Sequence, residues 1–249
     1  MSEVERRLPH AALSPTGRLP KAEKIAALLK LDSIARTRLR LLEIGTGSGV
    51  IAHYFATRPE FLCEVDAVDV LDQRQVVEGY RYQTVTDVEL PFGDGSFDIV
   101  ISNHVIEHVG RADEQLAHLR AIARVLKPAG VVYLATPNCW QPVEPHFRLM
   151  FLSWLPKSWR SPYVRWRKAG DCYDCEPLTM PELEAMLQVA GFDYTNACWE
   201  AIRAMSATET KPALSIALAS RIPRRWIQPL RRFSPTHVYL LRHPQRSQQ

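Results

Sequence analysis

No stretch of this 249-residue chain reaches the roughly 18 to 20 uninterrupted apolar residues that a membrane-spanning helix needs. Charges break up any apolar core in the first 30 residues, so no export leader is expected and the sequence reads as cytoplasmic. Cysteine is sparse: five residues, at 63, 139, 172, 175 and 198, read as thiols rather than as a disulfide scaffold. Cys172-Tyr173-Asp174-Cys175 is a lone CxxC without the second pair a zinc site needs. His146 and Asp171 are conceivable further ligands, and no metal is assigned. Internal repeats and low-complexity tracts are absent. With 46% hydrophobic and 23% charged residues, the composition excludes a wholly disordered or collagen-like chain. The length suits one domain with an embellishment.

Acid is what the C-terminal fifth lacks. Residues 201–249 hold nine Lys/Arg against one Asp/Glu, while 1–200 hold 22 against 26, so a body of −4 carries a tail of +8. That asymmetry asks for an acidic partner (nucleic acid, an anionic membrane surface or a negatively charged substrate) unless it is simply a solvated basic face.

Three prolines in the first 20 residues suggest a poorly ordered arm over 1–20. Helical periodicity begins at Lys21, with Ile25, Leu28 and Leu29 on one face. From Leu39 short apolar runs alternate with helical stretches, the pattern of a parallel sheet with crossover helices. Strands are expected at Leu39 to Ile44, Val65 to Val70, Tyr82 to Val85, Phe97 to Ser102 and Val131 to Ala135. Helices are expected near 49–57, 72–78 and 112–126, the last stopped by Lys127, Pro128 and Gly130. After an irregular stretch, Leu178 to Ala190 reads as a helix capped by Thr179 and closed by Gly191. Phe192 to Trp199 and Thr236 to Leu241 are expected closing strands around the basic stretch 203–232. The fold class is α/β, doubly wound.

The first strand runs into Glu43-Ile44-Gly45-Thr46-Gly47-Ser48-Gly49-Val50. A phosphate-binding Walker loop would end in Gly-Lys-Ser/Thr, and a dinucleotide fingerprint would put its third glycine at position 50, where there is valine. Glu43 would repel a pyrophosphate yet could face an ammonium or sulfonium group. Asp69, 20 residues beyond Gly49 at the end of the second strand, can accept both hydroxyls of a ribose. The ligand these residues describe is a cationic nucleoside.

At this point the sequence resembles the class I S-adenosylmethionine (AdoMet) dependent methyltransferases, in the small-molecule branch that includes ubiquinone and menaquinone biosynthesis. Thr86 to Phe92, Gly95 to Val100, Val105 to Val109 and Arg124 to Gly130 carry the resemblance onward from the glycine loop in the family's order. It is strong over 39–136 and looser over 178–242. The resemblance implies a Rossmann-like methyltransferase fold with a mostly parallel seven-stranded sheet. It also implies AdoMet as cofactor, with Glu43, Gly45, Gly47 and Gly49 around the methionine moiety, Asp69 on the ribose, Asp87 on the adenine amino group and Asn103 at the pocket floor. Glu107 and His108 read as scaffold, and Asp98 as packing or capping. The implied organisation is one domain: arm 1–20, helix 21–38, cofactor core 39–136, acceptor or lid insertion 137–176, and a closing region 177–249.

Methyl transfer is an in-line displacement that needs a base only when the nucleophile arrives protonated. His104, after the fourth strand, and His146, after the fifth, stand where open α/β folds bind ligands, and either could be that base. DNA base methylation is disfavoured because Ser102-Asn103-His104-Val105 replaces the Asp/Asn-Pro-Pro-aromatic motif of amino-methylating DNA enzymes, and nucleic acid is not an expected partner. The insertion from Cys139 to Lys168 holds four of the six tryptophans, and 146–168 carries six Lys/Arg and no acid. Such a mixture suits a lid over an apolar or amphiphilic acceptor, or an anionic membrane surface. A further resemblance, of 136–156 to methyltransferases of bacterial glycan and natural-product pathways, makes a sugar hydroxyl, lipid-linked or not, the first acceptor and a quinone or polyketide phenol the second. Two readings from other classes compete: an aminopropyl transferase, which lacks here its acidic polyamine pocket, and a non-catalytic protein that binds AdoMet or nucleic acid.

Overall fold

The computed structural model describes residues 15–31, 37–208 and 213–244. The expected arm lies outside the described residues up to position 14. From Pro15 the chain is already helical, and helix α1 spans Pro15–Leu29 instead of starting at Lys21. Proline suits a first helical position, where its missing N–H would have no partner anyway. Positions 32–36 of the expected 21–38 helix, 209–212 of the basic stretch and 245–249 of the closing region also lie outside the described residues.

Seven strands form one sheet: β1 Leu39–Ile44, β2 Cys63–Asp69, β3 Arg81–Thr84, β4 Phe97–Asn103, β5 Leu126–Pro137, β6 Asp193–Asn196 and β7 Thr236–Arg242. Their order is β3-β2-β1-β4-β5-β7-β6. All run parallel except β7, which is antiparallel to both β5 and β6. Neighbouring β1 residues Leu41 and Leu42 point to opposite faces, as the two-residue period of a strand requires. One face is covered by α1, α2 (Val50–Thr57) and α6 (Cys198–Thr208), packing Ile25, Ile51 and Phe55 on Leu41, Ile99 and Tyr133. The other face carries α3 (Ala112–Val125) and α5 (Met180–Val189), packing Leu119, Ile122 and Leu183 on Leu42, Val100 and Val132, and between them in the chain α4 (Lys157–Trp166) belongs to the insertion. Burial on both faces is why β1 and β4 read as continuous apolar runs.

Local signals act largely as expected. Helix α3 stops at Val125 and the chain enters β5 at once, with a register irregularity between Phe97 and Ile99 opposite Pro128 and Gly130. Thr179 caps α5: its Oγ1 accepts from Glu182 N–H, and its own N–H donates to Glu182 Oε2 at 2.8 Å. At the sheet edge buried Asp66 takes Arg81 Nε at 2.7 Å and Nη2 at 2.8 Å, pinning β3 to β2.

Three expectations fail for tertiary reasons. Residues 72–78 form no helix, because Gln75 and Val76 donate their N–H groups to Ser48 O, both at 3.0 Å, and tie the segment to the glycine turn. The strand expected over 192–199 is confined to β6, after which Asn196 Oδ1 accepts from Cys198 N–H at 3.2 Å and opens α6. The basic stretch folds in part into a short helix α7, Leu214–Ala219, and helical turns over Arg224–Ile227 and Gln228–Phe233.

Candidate active site

The carboxyl ends of β1, β2 and β4 open into a cleft of about 300 Å³, within the size range of small-molecule sites. Gly45 and Gly47 line it, both in the left-handed region. A side chain at Gly45 would collide with Val105 from the loop after β4. At Gly49, φ +81°, a Cβ would drive into Val76 O and the Tyr80 hydroxyl. The turn is therefore clamped between two neighbouring loops, and only glycine lets them approach.

Asp69 ends β2 and holds this turn: Gly47 N–H donates to its Oδ2 at 2.8 Å and Val70 N–H to its Oδ1 at 2.7 Å. A carboxylate has about four acceptor positions, of which these two bonds use two, and the side chain lines the cleft. Asp87 also lines the cleft and accepts Val88 N–H at 2.6 Å, and Asn103 lines it at the end of β4.

Of the nine residues singled out by sequence, Gly45, Gly47, Asp69, Asp87, Asn103, His104 and His146 line this one cleft. Glu43 and Gly49 stand behind it. Glu43 is 1% exposed and accepts Ala52 N–H at 2.9 Å, so it joins β1 to the start of α2 instead of facing the cavity. Burial pushes its carboxyl up to about 8, against the opposing pull of Arg18 and the Ala52 N–H.

Arg18 and Lys21 line the cleft from α1 and were missed by the sequence reading, which placed the first in a flexible arm. Burial lowers the pKa of the Arg18 guanidinium, with the charges of Glu43 and Asp69 acting the other way. The signal was available: Arg18, Lys21, Ile25 and Leu28 share a helical spacing.

His104 adopts φ +60°, a left-handed conformation that costs a non-glycine residue about 1–2 kcal/mol. Its N–H donates to Ala135 O at 2.7 Å, which fixes the turn after β4. Its Nδ1 lies 3.3 Å from Oε1 of fully buried Glu107, whose Oε2 takes the Thr136 hydroxyl at 3.0 Å. Burial would raise the Glu107 carboxyl, but the close approach of the His104 ring and the fields of His104 and His108 outweigh it and hold the group down at about 2. His118 reaches the same cleft from α3, where burial pushes it down to about 4 and keeps it neutral.

The insertion divides its work differently from the lid expected of it. Pro145, His146 and Asp174 close the cleft, and none of the four insertion tryptophans lines it. Trp154 packs edge-on against Trp140 and at a tilt against Phe151, while Trp159 and Trp166 line a separate outer groove with Met150 and Tyr163. The insertion keeps a small core of its own in Leu149, Leu152 and Val164, with Phe147 and Tyr173 against it. Its dense aromatics therefore build a surface rather than a roof. His146 is held by Glu144, whose Oε1 lies 2.8 Å from Nδ1 and whose Oε2 accepts the N–H groups of His146 and Phe147.

A family model described as a methyltransferase domain matches residues 13–197. Ubiquinone biosynthesis O-methyltransferase of Caulobacter vibrioides is 32% identical over 127 residues, 47% of this chain and 49% of that protein. The protein of that name from Cereibacter sphaeroides is 28% identical over 161 residues, 62% of this chain and 60% of its own length. The match thus spans about half to three fifths of these relatives. Among solved structures, phosphoethanolamine N-methyltransferase 2 of Haemonchus contortus, in complex with S-adenosyl-L-methionine, superposes with a TM-score of 0.55 at 19% identity, covering 98% of this chain and 61% of that one. At that identity the likeness concerns the fold.

Proposed function

The chain belongs to the methyltransferase-domain family with the class I, AdoMet-dependent fold, and from that premise we propose that it methylates a hydroxyl oxygen of a small, amphiphilic acceptor. The donor set suits a cationic nucleoside: Asp69 for the ribose diol, Asp87 for the adenine amino group, Gly45 and Gly47 along the methionine chain, and Asn103 at the floor. Glu43 acts from behind the turn, as a buried carboxyl whose charge a nearby cation would stabilise. Bound AdoMet supplies an activated methyl group, and orientation, exclusion of water and handling of the acceptor proton fall to this chain's own residues.

The observation that carries the hydroxyl reading is the His104–Glu107 pair. With Glu107 ionised and facing Nδ1 at 3.3 Å, the favoured tautomer carries its proton there and leaves Nε2 to accept the acceptor's proton. Glu107 then stabilises the imidazolium, as a buried acid does behind a catalytic histidine. Fixing His104 in a strained backbone conformation is a cost more readily accounted for by a role in the reaction than by packing.

A sugar hydroxyl, lipid-linked or free, is the first acceptor reading. A phenolic hydroxyl is the second, favoured by the ubiquinone O-methyltransferase name of the relatives. The test is transfer of labelled methyl from AdoMet to matched panels of glycosides and phenols. His104→Asn should lower kcat by about 10²- to 10⁴-fold while leaving AdoMet affinity within about a few-fold, and the loss should be smaller for phenols, whose hydroxyl pKa of about 10 asks less of a base. Undiminished turnover would remove His104 as base.

The outer surface supports an amphiphilic acceptor. Trp159 is 66% and Trp166 73% exposed beside Arg165 and Arg167, and Trp226 and Phe233 are exposed among the arginines of the tail. Aromatic rings set among cations are the chemistry of an anionic membrane interface. The chain should co-sediment with vesicles rich in anionic lipid at low salt and release as salt rises. No co-sedimentation would leave a water-borne acceptor as the reading.

A further inference from the structure

The loop after β4 and the insertion bring three metal-type donors together at the acceptor end of the cleft. His108, His146 and Cys175 each offer one ligand atom, and these atoms lie within 4.8 Å of one another. The imidazoles face each other edge to face, with Nε2 to Nε2 at 3.2 Å. The Cys175 sulfur lies 3.6 Å from His108 Nδ1 and 3.8 Å from His146 Nδ1. Tetrahedral zinc, at about 2.0–2.1 Å from nitrogen and about 2.3 Å from sulfur, demands donor separations of about 3.3 Å and 3.6 Å. The Nε2 pair matches the spacing for two nitrogens; the Cys175 distances run to the other nitrogen of each ring, so sharing one ion through one nitrogen per ring, atoms that lie within 4.8 Å of one another, requires the sulfur and the rings to turn toward a common centre.

We propose that His108, His146 and Cys175 bind one divalent transition ion, zinc by the chemistry of the set, with the remaining coordination position open to the cleft. Two imidazoles and a thiol are borderline-soft donors that suit zinc and disfavour magnesium or calcium. The surroundings are built as metal sites are. Glu144, itself 2% exposed, lies 2.8 Å from His146 Nδ1, the arrangement that turns the other ring nitrogen toward an ion and makes it more basic. Gln115 donates from its amide to Ile106 O at 3.1 Å and to Glu176 O at 2.9 Å, clamping the segments that carry His108 and Cys175 to each other. Three protein ligands with one open position is the catalytic rather than the structural form of a zinc site. His108, His146 and the adjacent Asp174 all line the cleft, so the open position faces an incoming acceptor. A hydroxyl taken up there would be acidified by the ion, a role that rests on the hydroxyl reading above. Binding of the ion itself does not rest on it.

The test uses the full chain, loaded with zinc, dialysed against metal-free buffer and analysed for metal, and in parallel loaded with cobalt as a spectroscopic stand-in. The expected result is about one ion per chain and, with cobalt, tetrahedral visible bands together with a sulfur-to-cobalt charge-transfer band. Cys175→Ser should abolish that band and Cys172→Ser should leave it intact, which separates a ligand from its CxxC neighbour. Glu144→Gln should weaken zinc binding by about 10- to 100-fold without removing it. AdoMet titration of each variant reports folding independently of the metal. A chain that binds AdoMet but retains no zinc overturns the site, as does a charge-transfer band that survives Cys175→Ser. A chain that retains zinc and loses the band in Cys175→Ser, yet binds no AdoMet, keeps the site and overturns the methyl-transfer reading.

Discussion

Replacing Glu43 by Gln should make the protein more stable and less able to respond to its cofactor. The side chain is 1% exposed, and burial raises its carboxyl from 4.5 to about 8. A group whose folded pKa lies above its unfolded value binds its proton more tightly in the folded state, so stability falls as pH rises between the two values. Below 4.5 both states are protonated and nothing is lost. Above about 8 the full cost applies, on the order of 5 kcal/mol at about 1.36 kcal/mol per unit. Rearrangement around Arg18 will reduce that figure. Glutamine keeps an oxygen for the Ala52 N–H and removes the titration. Denaturant unfolding at a series of pH values should show wild-type stability falling between about pH 5 and pH 8 by up to one proton's worth of slope more than the variant's. The two should converge near the lower end and differ by several kcal/mol near the upper. AdoMet brings positive charge into the cleft beside this carboxyl and should favour its ionised form. Titration calorimetry near pH 7 in buffers of different ionisation enthalpy should then report a proton released by wild type and none by the variant. Parallel stability curves would refute the buried-acid account, and equal proton release would refute its link to the ligand.

Asp69→Ala should weaken AdoMet binding by more than about tenfold, because it removes acceptors from the diol and unties Gly47 N–H, each charge-assisted bond being worth about 1.5–3 kcal/mol; unchanged calorimetric affinity would refute the ribose assignment. Gly49→Ala should destabilise the fold by about 2–4 kcal/mol, since an L residue at φ +81° is strained and its Cβ displaces Val76 O and Tyr80; a melting midpoint within error of wild type would show that the 76–80 loop yields freely.

The cofactor half of the cleft was legible because its signals are local. β1 has the predicted bounds, Asp69 falls at the end of β2, and Thr179 caps α5 with the Glu182 that follows it. Each depends on residues within a turn or a strand of one another. What was illegible depends on contacts across the chain. The segment 72–78 has helix-compatible composition, but Ser48 O takes two of its N–H groups. Glu43 reads as a ligand contact until Ala52 and Arg18 are placed beside it. The tryptophans read as a lid because composition reports that they cluster and not which way they face. Cys175 reads as one thiol of a lone CxxC with Cys172, whereas its neighbours in space are His108 and His146, far off in sequence.

The two halves of the cleft therefore answer to different physics. The side proposed for the cofactor is assembled from the ends of the neighbouring strands β2, β1 and β4 and a turn that only glycine can form, so the sheet sets its geometry. The side proposed for the acceptor is assembled from the loop after β4, Glu144 to His146 and Asp174, three segments with no common strand to hold them. Their alignment rests on a few bonds: Glu144 onto His146, Glu107 between His104 and Thr136, and Gln115 onto Ile106 and Glu176. An ion drawing His108, His146 and Cys175 together would supply the rigidity that these segments lack, as the sheet supplies it on the other side. A site that must hold an acceptor oxygen in line with a methyl group gains most where its own framework is weakest. On this argument the metal's contribution should fall on turnover and acceptor affinity, and little on the binding of AdoMet.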